Sequence, residues 1–513
     1  MKVATGRGGM AAAPHHLAAE AALHVMAQGG NSVDGAIAAN AVLGVVLPET
    51  CGPGGDLFAL VHRPGDSVPA CLNSSGRAGS GASAQELRDQ GHDAIPFQGP
   101  WSVTVPGCVD GWEALSERFG SVPLGQTLRR AIELCAGFPA SSELAAALGR
   151  AQGWLEDTPS ANELYPGGAP PAPGDILSRP LLETTLHAIA NGGRGSFFEL
   201  VGPAITAATG GRITREDYSR VQSDWIDPIG TEVFGRTAWT VPPNSQGYLT
   251  LAAAAIFERL EVPADHTDPR FQHGLIEAYR AVSWERNDVV TDAIRAPSVD
   301  LLDRQRLDDR AAAVDLGTIA RWPDSPDARS GTAYLCVIDA NGMGVSLIQS
   351  NYTGIGSGLS AGNTGVFLHS RGAGFNLRDG HPNELAPGNR PLHTLAPTMW
   401  TRSEQLDTLL GTRGGHVQPQ LLLQVAANRM VAGLSATDAQ AAPRWTLDEL
   451  AGTPPVRVEP GFPEGLAEYG HSVEVTPGPM EGWGPVSLIE VDTDGTRTGA
   501  ADPRVSTAAA VAD

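Results

Sequence analysis

Residues 331–350 read GTAYLCVIDANGMGVSLIQS. Two runs rich in β-branched, aromatic and aliphatic residues, Thr332–Ile338 and Val345–Ser350, flank Asp339-Ala340-Asn341-Gly342. Asn-Gly between such runs is the strongest short hairpin signal, because both residues accept the positive φ of a two-residue turn. With Asn341 and Gly342 as the turn, paired positions add to 683. Thr332 then faces Asn351, with Ser350 one position away, and a different turn length moves this by a residue or two. The preceding stretch, Thr318–Gly331 (TIARWPDSPDARSG), is polar, carries two prolines and is expected to be exposed and mobile. A threonine hydroxyl is a poor nucleophile unless a base sits beside it. Cutting the Gly331–Thr332 bond would supply one, since the freed α-amine has an unperturbed pKa near ~8. The same residues admit a plainer reading, in which Thr332 opens a strand as β-branched residues often do.

Outward from this hairpin the chain alternates helices and strands. Leu17–Gln28 repeats apolar residues at helical spacing and stops at Gly29-Gly30. Ser32–Val46 reads as a buried helix with Ser32 as its N-cap. Leu57–His62 and Ala70–Asn73 read as short strands, and Gly111–Phe119 and Leu124–Leu134 as amphipathic helices. Asp157–Pro180 is a Pro/Gly-rich loop, after which Leu181–Asn191 resumes a helix. Thr237–Val241 is a strand leading into the turn cluster Pro242–Gly247, and Phe271–Val290 is a helical candidate. Gln418–Met430 is a helix directly after Gly414-Gly415-His416-Val417.

Composition narrows the function. Of 513 residues, 42% are hydrophobic and 18% charged, which excludes a disordered or coiled-coil chain. The net charge of −22 would repel a phosphate backbone, so no nucleic-acid partner is expected. Cys51, Cys71, Cys108, Cys135 and Cys336 are odd in number and irregular in spacing, which implies reduced, buried thiols. MKVATGRGGM has no apolar signal region, and the longest apolar stretch, Ala38–Leu47, is shorter than the roughly 20 residues that cross a bilayer. A soluble cytoplasmic protein without a membrane partner is the expectation. No H-E-x-x-H, paired Cys/His spacing or P-loop occurs, and CGPGGD lacks the strand-Gly-helix order of a dinucleotide site. No metal or cofactor is therefore expected. Gly358-Leu359-Ser360-Ala361-Gly362 matches G-x-S-x-G, with His369, His393 and His416 as candidate bases. That elbow needs a strand before it and a helix after it, whereas a Gly-rich loop precedes and a short strand, Val366–His369, follows.

Ordered blocks along nearly the whole chain carry a resemblance. They include AAEAALHVMAQGGNSVDGAIAANAVLGVVLPE, CGPGGDLFALV, VPGCVDGW, VPPNSQG, GTAYLCVIDANGMGVSLIQS, APGNRPLHTLAPT, GTRGGHVQPQLLLQVAANRM and GAADPR. Together they resemble the γ-glutamyltranspeptidase family of N-terminal-nucleophile hydrolases. The resemblance implies an α/β (α+β) fold, the four-layer αββα sandwich. It implies that Thr332 is the nucleophile and that self-cleavage between Gly331 and Thr332 leaves a large chain, 1–331, and a small chain, 332–513, which stay associated as one αββα unit. Ser350 stands where the family has a hydroxyl that bonds the nucleophile. Gly414 and Gly415 match the pair whose N–H groups form the oxyanion hole, and Arg77 the arginine that grips a substrate carboxylate.

Departures shift the expected substrate. The positions that hold a γ-glutamyl α-ammonium in the family's transpeptidases are Tyr352, Arg371 and Gly374 here, and the pair that contacts the carboxylate is His393-Thr394. A cationic Arg371 would repel an ammonium. SRGAGF with RPLHTLAPT is closer to the acylase-like branch of the family. The expectation is a self-processing threonine acylase or amidohydrolase acting on a small carboxylate-bearing substrate. Alternatives are a true γ-glutamyl transferase or hydrolase on glutathione-like substrates, a C–C or amide hydrolase in antibiotic biosynthesis, and an uncleaved non-catalytic homologue. A homodimer is left open.

Overall fold

Strand Gly331–Ile338 sends Ala333, Leu335 and Val337 into one apolar cluster and Tyr334, Cys336 and Ile338 into another. Alternation between two cores marks a strand covered on both faces. Met399 and Leu409 reach the second cluster from a different sheet, while their neighbours Trp400 and Leu410 turn away into a third. Three apolar layers separate four layers of structure, helix–sheet–sheet–helix, which is the αββα sandwich expected. The computed structural model describes residues 2–155, 158–292, 300–323, 331–449 and 452–513.

Among the described residues each central sheet has seven strands, all antiparallel to their neighbours. One runs Ala509–Ala512, Met10–Ala13, Gly331–Ile338, Gly344–Tyr352, Asp56–His62, Ala70–Ser74, Asp224–Ile226. The other runs Val3–Gly6, Arg497–Ala501, Val486–Val491, Gln405–Thr412, Thr398–Arg402, Arg236–Thr240, Ile229–Val233. Helices His16–Ala27, Ser32–Val46, Cys108–Phe119 and Pro180–Ala208 cover the first sheet. Tyr248–Arg259, Pro269–Ser283 and Gln418–Met430 cover the second.

Several boundaries differ from expectation for local reasons. Asn31, not Ser32, caps the helix Ser32–Val46, because Asn31 Oδ1 accepts from the Val33 and Asp34 amides while Asp34 Oδ2 accepts from Asn31 N. Leu124–Leu134 divides into Leu124–Thr127 and Arg129–Cys135. The helix from Pro180 runs on to Ala208 through a kink at Gly192-Gly193. Phe271–Val290 divides into Pro269–Ser283 and Arg286–Val289. Val366–His369 forms no strand, only a single bridge between Phe367 and Ser360. Residues 324–330 of the stretch before Thr332 lie outside the described residues. All five cysteines are buried free thiols, and burial pushes Cys51 and Cys135 up to about 12. Among the described residues no helix is long and apolar enough to cross a membrane.

Buried histidines, among them His15, His273, His393 and His471, set the acid limit of the fold. Burial holds His15 and His273 down at about 4 and His393 and His471 down at about 3. Each is neutral when folded and regains an ordinary value near ~6.5 when unfolded, so unfolding takes up protons between these limits. Stability is therefore full above pH ~6.5 and falls as pH drops toward ~4, at about 1.4 kcal/mol per pH unit for each proton taken up. Urea midpoints measured between pH 7 and pH 4 should fall steadily; a flat profile would show that these imidazoles gain no protons on unfolding.

Candidate active site

The hairpin expected around Asn341-Gly342 forms, but its register is shifted by one residue. Ala333 pairs with Gln349 and Ile338 with Gly344, so the connection is a five-residue loop, residues 339–343. Asp339 causes this: its Oδ1 accepts from the Asn341 and Met343 amides, and its carbonyl accepts from Gly342 N. A bulge between Gly331 and Ala333 then returns Gly331 to Tyr352. Thr332 consequently lies beside Ser350, with the two hydroxyl oxygens 3.5 Å apart and both residues buried. Ser350 Oγ accepts from Tyr352 N at 2.8 Å.

The Ser350 strand is approached closely by the CGPGGD turn. A Cβ on Gly55 would lie 2.4 Å from the Ser350 carbonyl and 2.2 Å from Gln349 Nε2, which only glycine avoids. The side chain of Gln349 clamps this turn, accepting from Gly52 N at 2.8 Å and donating to Gly52 O at 2.9 Å.

A second element reaches Thr332 from the other sheet. Gln418, the first residue of helix Gln418–Met430, donates from Nε2 to Thr332 Oγ1 at 3.3 Å and accepts from Ala396 N at 3.1 Å. Gly414 and Gly415 precede it with φ of +133° and +62°, in the region that favours glycine. Among the described residues neither glycine amide donates a hydrogen bond within the chain. Two such amides at the head of a helix are suited to an oxyanion. Buried Gln246 fixes their position, donating to Gly415 O at 2.8 Å and Thr394 O at 2.9 Å while accepting from Arg286.

Beyond Thr394 lies a buried charge cluster. Arg371 is fully buried; its guanidinium carbon sits 3.9 Å from the centre of the Tyr352 ring, and Nη1 donates to Thr394 Oγ1 at 3.4 Å. Among the described residues, its Nε and Nη2 have no hydrogen-bond partner. Burial lowers the Arg371 pKa to about 10, opposed by Tyr352 and Asp56. Tyr352 adopts φ of +78°, uncommon for a bulky residue. Asp56 accepts from Gly76 N at 2.8 Å and from His393 Nε2 at 3.0 Å, and His369 Nδ1 lies 3.6 Å away. The Leu395 amide points at His393 Nδ1, 3.4 Å away, which places the ring proton on Nε2, toward Asp56. Burial pushes Asp56 up, but His369, His393 and Arg371 outweigh it and hold the carboxyl below the ordinary range.

The other expected site residues fall as follows. Arg77 is buried, and its Nη2 donates to Asp224 Oδ2 at 2.6 Å, an oxygen it shares with Arg390 at 2.8 Å. A Cβ on Gly374 would lie 2.4 Å from the Leu392 carbonyl, so the backbone itself excludes an acid there. Ser360 donates to Gly362 O, with neither a strand before it nor a helix after it, so Gly358–Gly362 is not a nucleophile elbow. His273, Glu277 and His471 place possible ligand atoms within 4.8 Å of one another. Each already has a protein partner: the two rings meet at 2.8 Å, and Glu277 accepts from Arg280 and Ala320. Asp56, Gln246, Arg286 and Gln418 are site residues that the sequence does not single out. Asp56, Gln246 and Gln418 lie inside the resembling blocks CGPGGDLFALV, VPPNSQG and GTRGGHVQPQLLLQVAANRM.

A family model described as gamma-glutamyltranspeptidase matches residues 18–512. The chain belongs to the gamma-glutamyltranspeptidase family. Among curated members it is 33% identical to the glutathione hydrolase-like YwrD proenzyme of Bacillus subtilis, over 98% of each chain. It is equally 33% identical to the oxamate amidohydrolase proenzyme of Klebsiella pneumoniae, again over 98% of both. Among solved structures, the cephalosporin acylase from Bacillus halodurans superposes with a TM-score of 0.92 at 31% identity, covering 100% of this chain and 97% of that one. The family's relatives thus include named acylases and amidohydrolases, several of them proenzymes.

Proposed function

We propose that this chain is a self-processing threonine amidohydrolase of the acylase-like branch. One observation carries the reading: Thr332 Oγ1 lies between Ser350 Oγ and Gln418 Nε2, at the head of the helix that follows the free Gly414 and Gly415 amides. In the first stage Thr332 Oγ adds to the Gly331 carbonyl carbon, the C–N bond breaks and the nitrogen takes a proton. Water then hydrolyses the ester, leaving a Gly331 carboxylate and a free Thr332 hydroxyl and amine. In the second stage the same Oγ attacks a substrate amide, its proton passing through the α-amine to the leaving nitrogen. Gly414 and Gly415 donate to the developing oxyanion, each such donor being worth roughly 3 kcal/mol in a transition state. Water releases the acyl group as a carboxylic acid.

Residues 1–331 and 332–513 stay together after scission, because strand Gly331–Ile338 is hydrogen-bonded to Met10–Ala13 of the large chain. The relatives' names support hydrolysis of an amide, and Arg371 with Gly374 speaks against docking a γ-glutamyl ammonium. Denaturing electrophoresis with intact-mass analysis of the purified protein should give two polypeptides, the smaller beginning TAYLCV. A single uncut chain would favour a non-catalytic homologue.

A further inference from the structure

We infer that Gln418 is a further catalytic residue of this site. Its side-chain N–H stabilises the negative charge that Thr332 Oγ1 acquires each time an ester on that oxygen is broken. The inference rests on Thr332 as the nucleophile. It adds the group that serves Oγ1 as a leaving group, where Gly414 and Gly415 serve the carbonyl oxygen.

The backbone sets the polarity of the contact. Ala396 N can only donate, and it donates to Gln418 Oε1 at 3.1 Å. The other end of the planar amide, Nε2, is therefore the end that meets Thr332 Oγ1, at 3.3 Å. A hydroxyl that accepts there directs its own proton elsewhere, and Thr332 donates to Ser350 Oγ at 3.5 Å. Gln418 is fully buried, and it opens the helix Gln418–Met430 with Pro419 directly after it, which fixes its backbone. The reacting oxygen thus faces a donor already in place, at the end of a helix whose dipole favours negative charge.

Glutamines that only hold the fold together behave differently here. Gln349 donates to Gly52 O and accepts from Gly52 N. Gln420 does the same with Leu447, and Gln424 with Trp445. Each closes both ends of its amide on the backbone of one residue. Gln418 keeps the accepting half of that pattern on Ala396. Among the described residues, its N–H turns to the hydroxyl of Thr332 instead of a carbonyl. A backbone clamp has no use for that hydroxyl.

Self-cleavage and turnover share the step that this donor assists. In both, Oγ1 is joined to an acyl carbon as an ester and water adds to that carbon. The C–Oγ1 bond then breaks with its electron pair on Oγ1, which ends with a proton from the water. Ester and water become carboxylic acid and hydroxyl. Charge on Oγ1 is greatest as the bond breaks, and a hydrogen bond to a charged acceptor is roughly twice as strong as one to a neutral acceptor. The contact is therefore stronger in the transition state than before it, which is the condition for raising a rate. Gln418 keeps its proton throughout, so its part is distinct from that of the α-amine, which carries one.

The test is self-cleavage of the full chain, which needs no added substrate. Wild type, Q418E and Q418M are made uncut by cell-free translation and transferred to buffers from pH 5.5 to 9. Release of the chain beginning TAYLCV is timed by intact mass. Q418M fills a similar volume without a donor and should divide at least about 10-fold more slowly at every pH. Q418E keeps an acceptor for Ala396 N. Its other oxygen donates to Oγ1 only while protonated, and a carboxyl buried here titrates above the ordinary ~4.3. The ratio of the Q418E rate to the wild-type rate should therefore fall at least about 10-fold as pH rises. A purely structural glutamine would not produce that slope. Q418M dividing as fast as wild type overturns the inference. So does a Q418E ratio that is flat with pH, or one that rises, which would make the side chain a base. A Q418E chain that fails to fold overturns it as well, and a fold lost in Q418M alone leaves Q418E to decide. Normal division of both variants beside an uncut T332A removes this inference and leaves the Thr332 reading standing, whereas division of T332A removes both.

Discussion

Thr332→Ala is expected to yield one polypeptide of 513 residues and no hydrolytic turnover. The change deletes the attacking oxygen, which the proposed mechanism uses twice, first on the Gly331 carbonyl and then on substrate. The fold should survive it. Thr332 is buried, but the substitution removes one methyl and one hydroxyl whose contacts are long, 3.5 Å to Ser350 and 3.3 Å from Gln418. A cost of roughly 1 kcal/mol for the lost methyl leaves most of a typical 5–15 kcal/mol of stability. T332S retains Oγ and should still divide into two chains. Intact-mass analysis of the two variants decides the matter. Two chains from T332A would mean that another group performs the scission, and the assignment of Thr332 would fall with it.

The largest stability effect is expected at Asp56. Asp56→Ala leaves the Gly76 amide and His393 Nε2–H without an acceptor, and Arg371 without the carboxylate whose field favours its charge. Breaking a buried, hydrogen-bonded charge cluster in this way costs about 3–5 kcal/mol. Asp56→Asn keeps one acceptor oxygen and should cost less. The urea midpoint of D56A at pH 7 should fall by an amount equivalent to several kcal/mol, whereas a loss under about 1 kcal/mol would mean that the cluster is not held together by this residue. Because Asp56 pairs in register with Ser350, and His393 adjoins Thr394, the damage should also reach the nucleophile's surroundings.

Much of this architecture is legible in short segments because local rules dominate there. The helix Gln418–Met430 begins and ends where its pattern says, since a glycine pair precedes it and Pro419 sits in its first turn. The hairpin is legible from Asn-Gly, yet its register is not. The Asp339 side chain competes for the turn amides and lengthens the loop, and a propensity rule for two-residue turns does not include that competition. The break after Ser283 is likewise invisible to periodicity, which runs on through a short interruption, whereas the expected helix end at Asn191 falls directly before the kink at Gly192-Gly193.

By itself, the sequence determined the layered fold through its resemblance to the family, and through local pattern it determined a hairpin that brings Thr332 near Ser350, two glycines before a helix, and cysteines without paired spacing. The local readings depend on residues adjacent in the chain or on a period of two or 3.6. Only the tertiary structure decided that Asp56 gathers Gly76, His393 and the charge of Arg371, that Gln418 spans from Ala396 to Thr332, that Asp224 occupies Arg77, and that Arg371 keeps open donors. The physical reason is that hydrogen bonds and buried charges are satisfied by whatever lies within about 3 Å in space. In a sandwich of two sheets, those partners come from separate strands and loops, from 20 residues apart for Asp56 and Gly76 to 337 for Asp56 and His393.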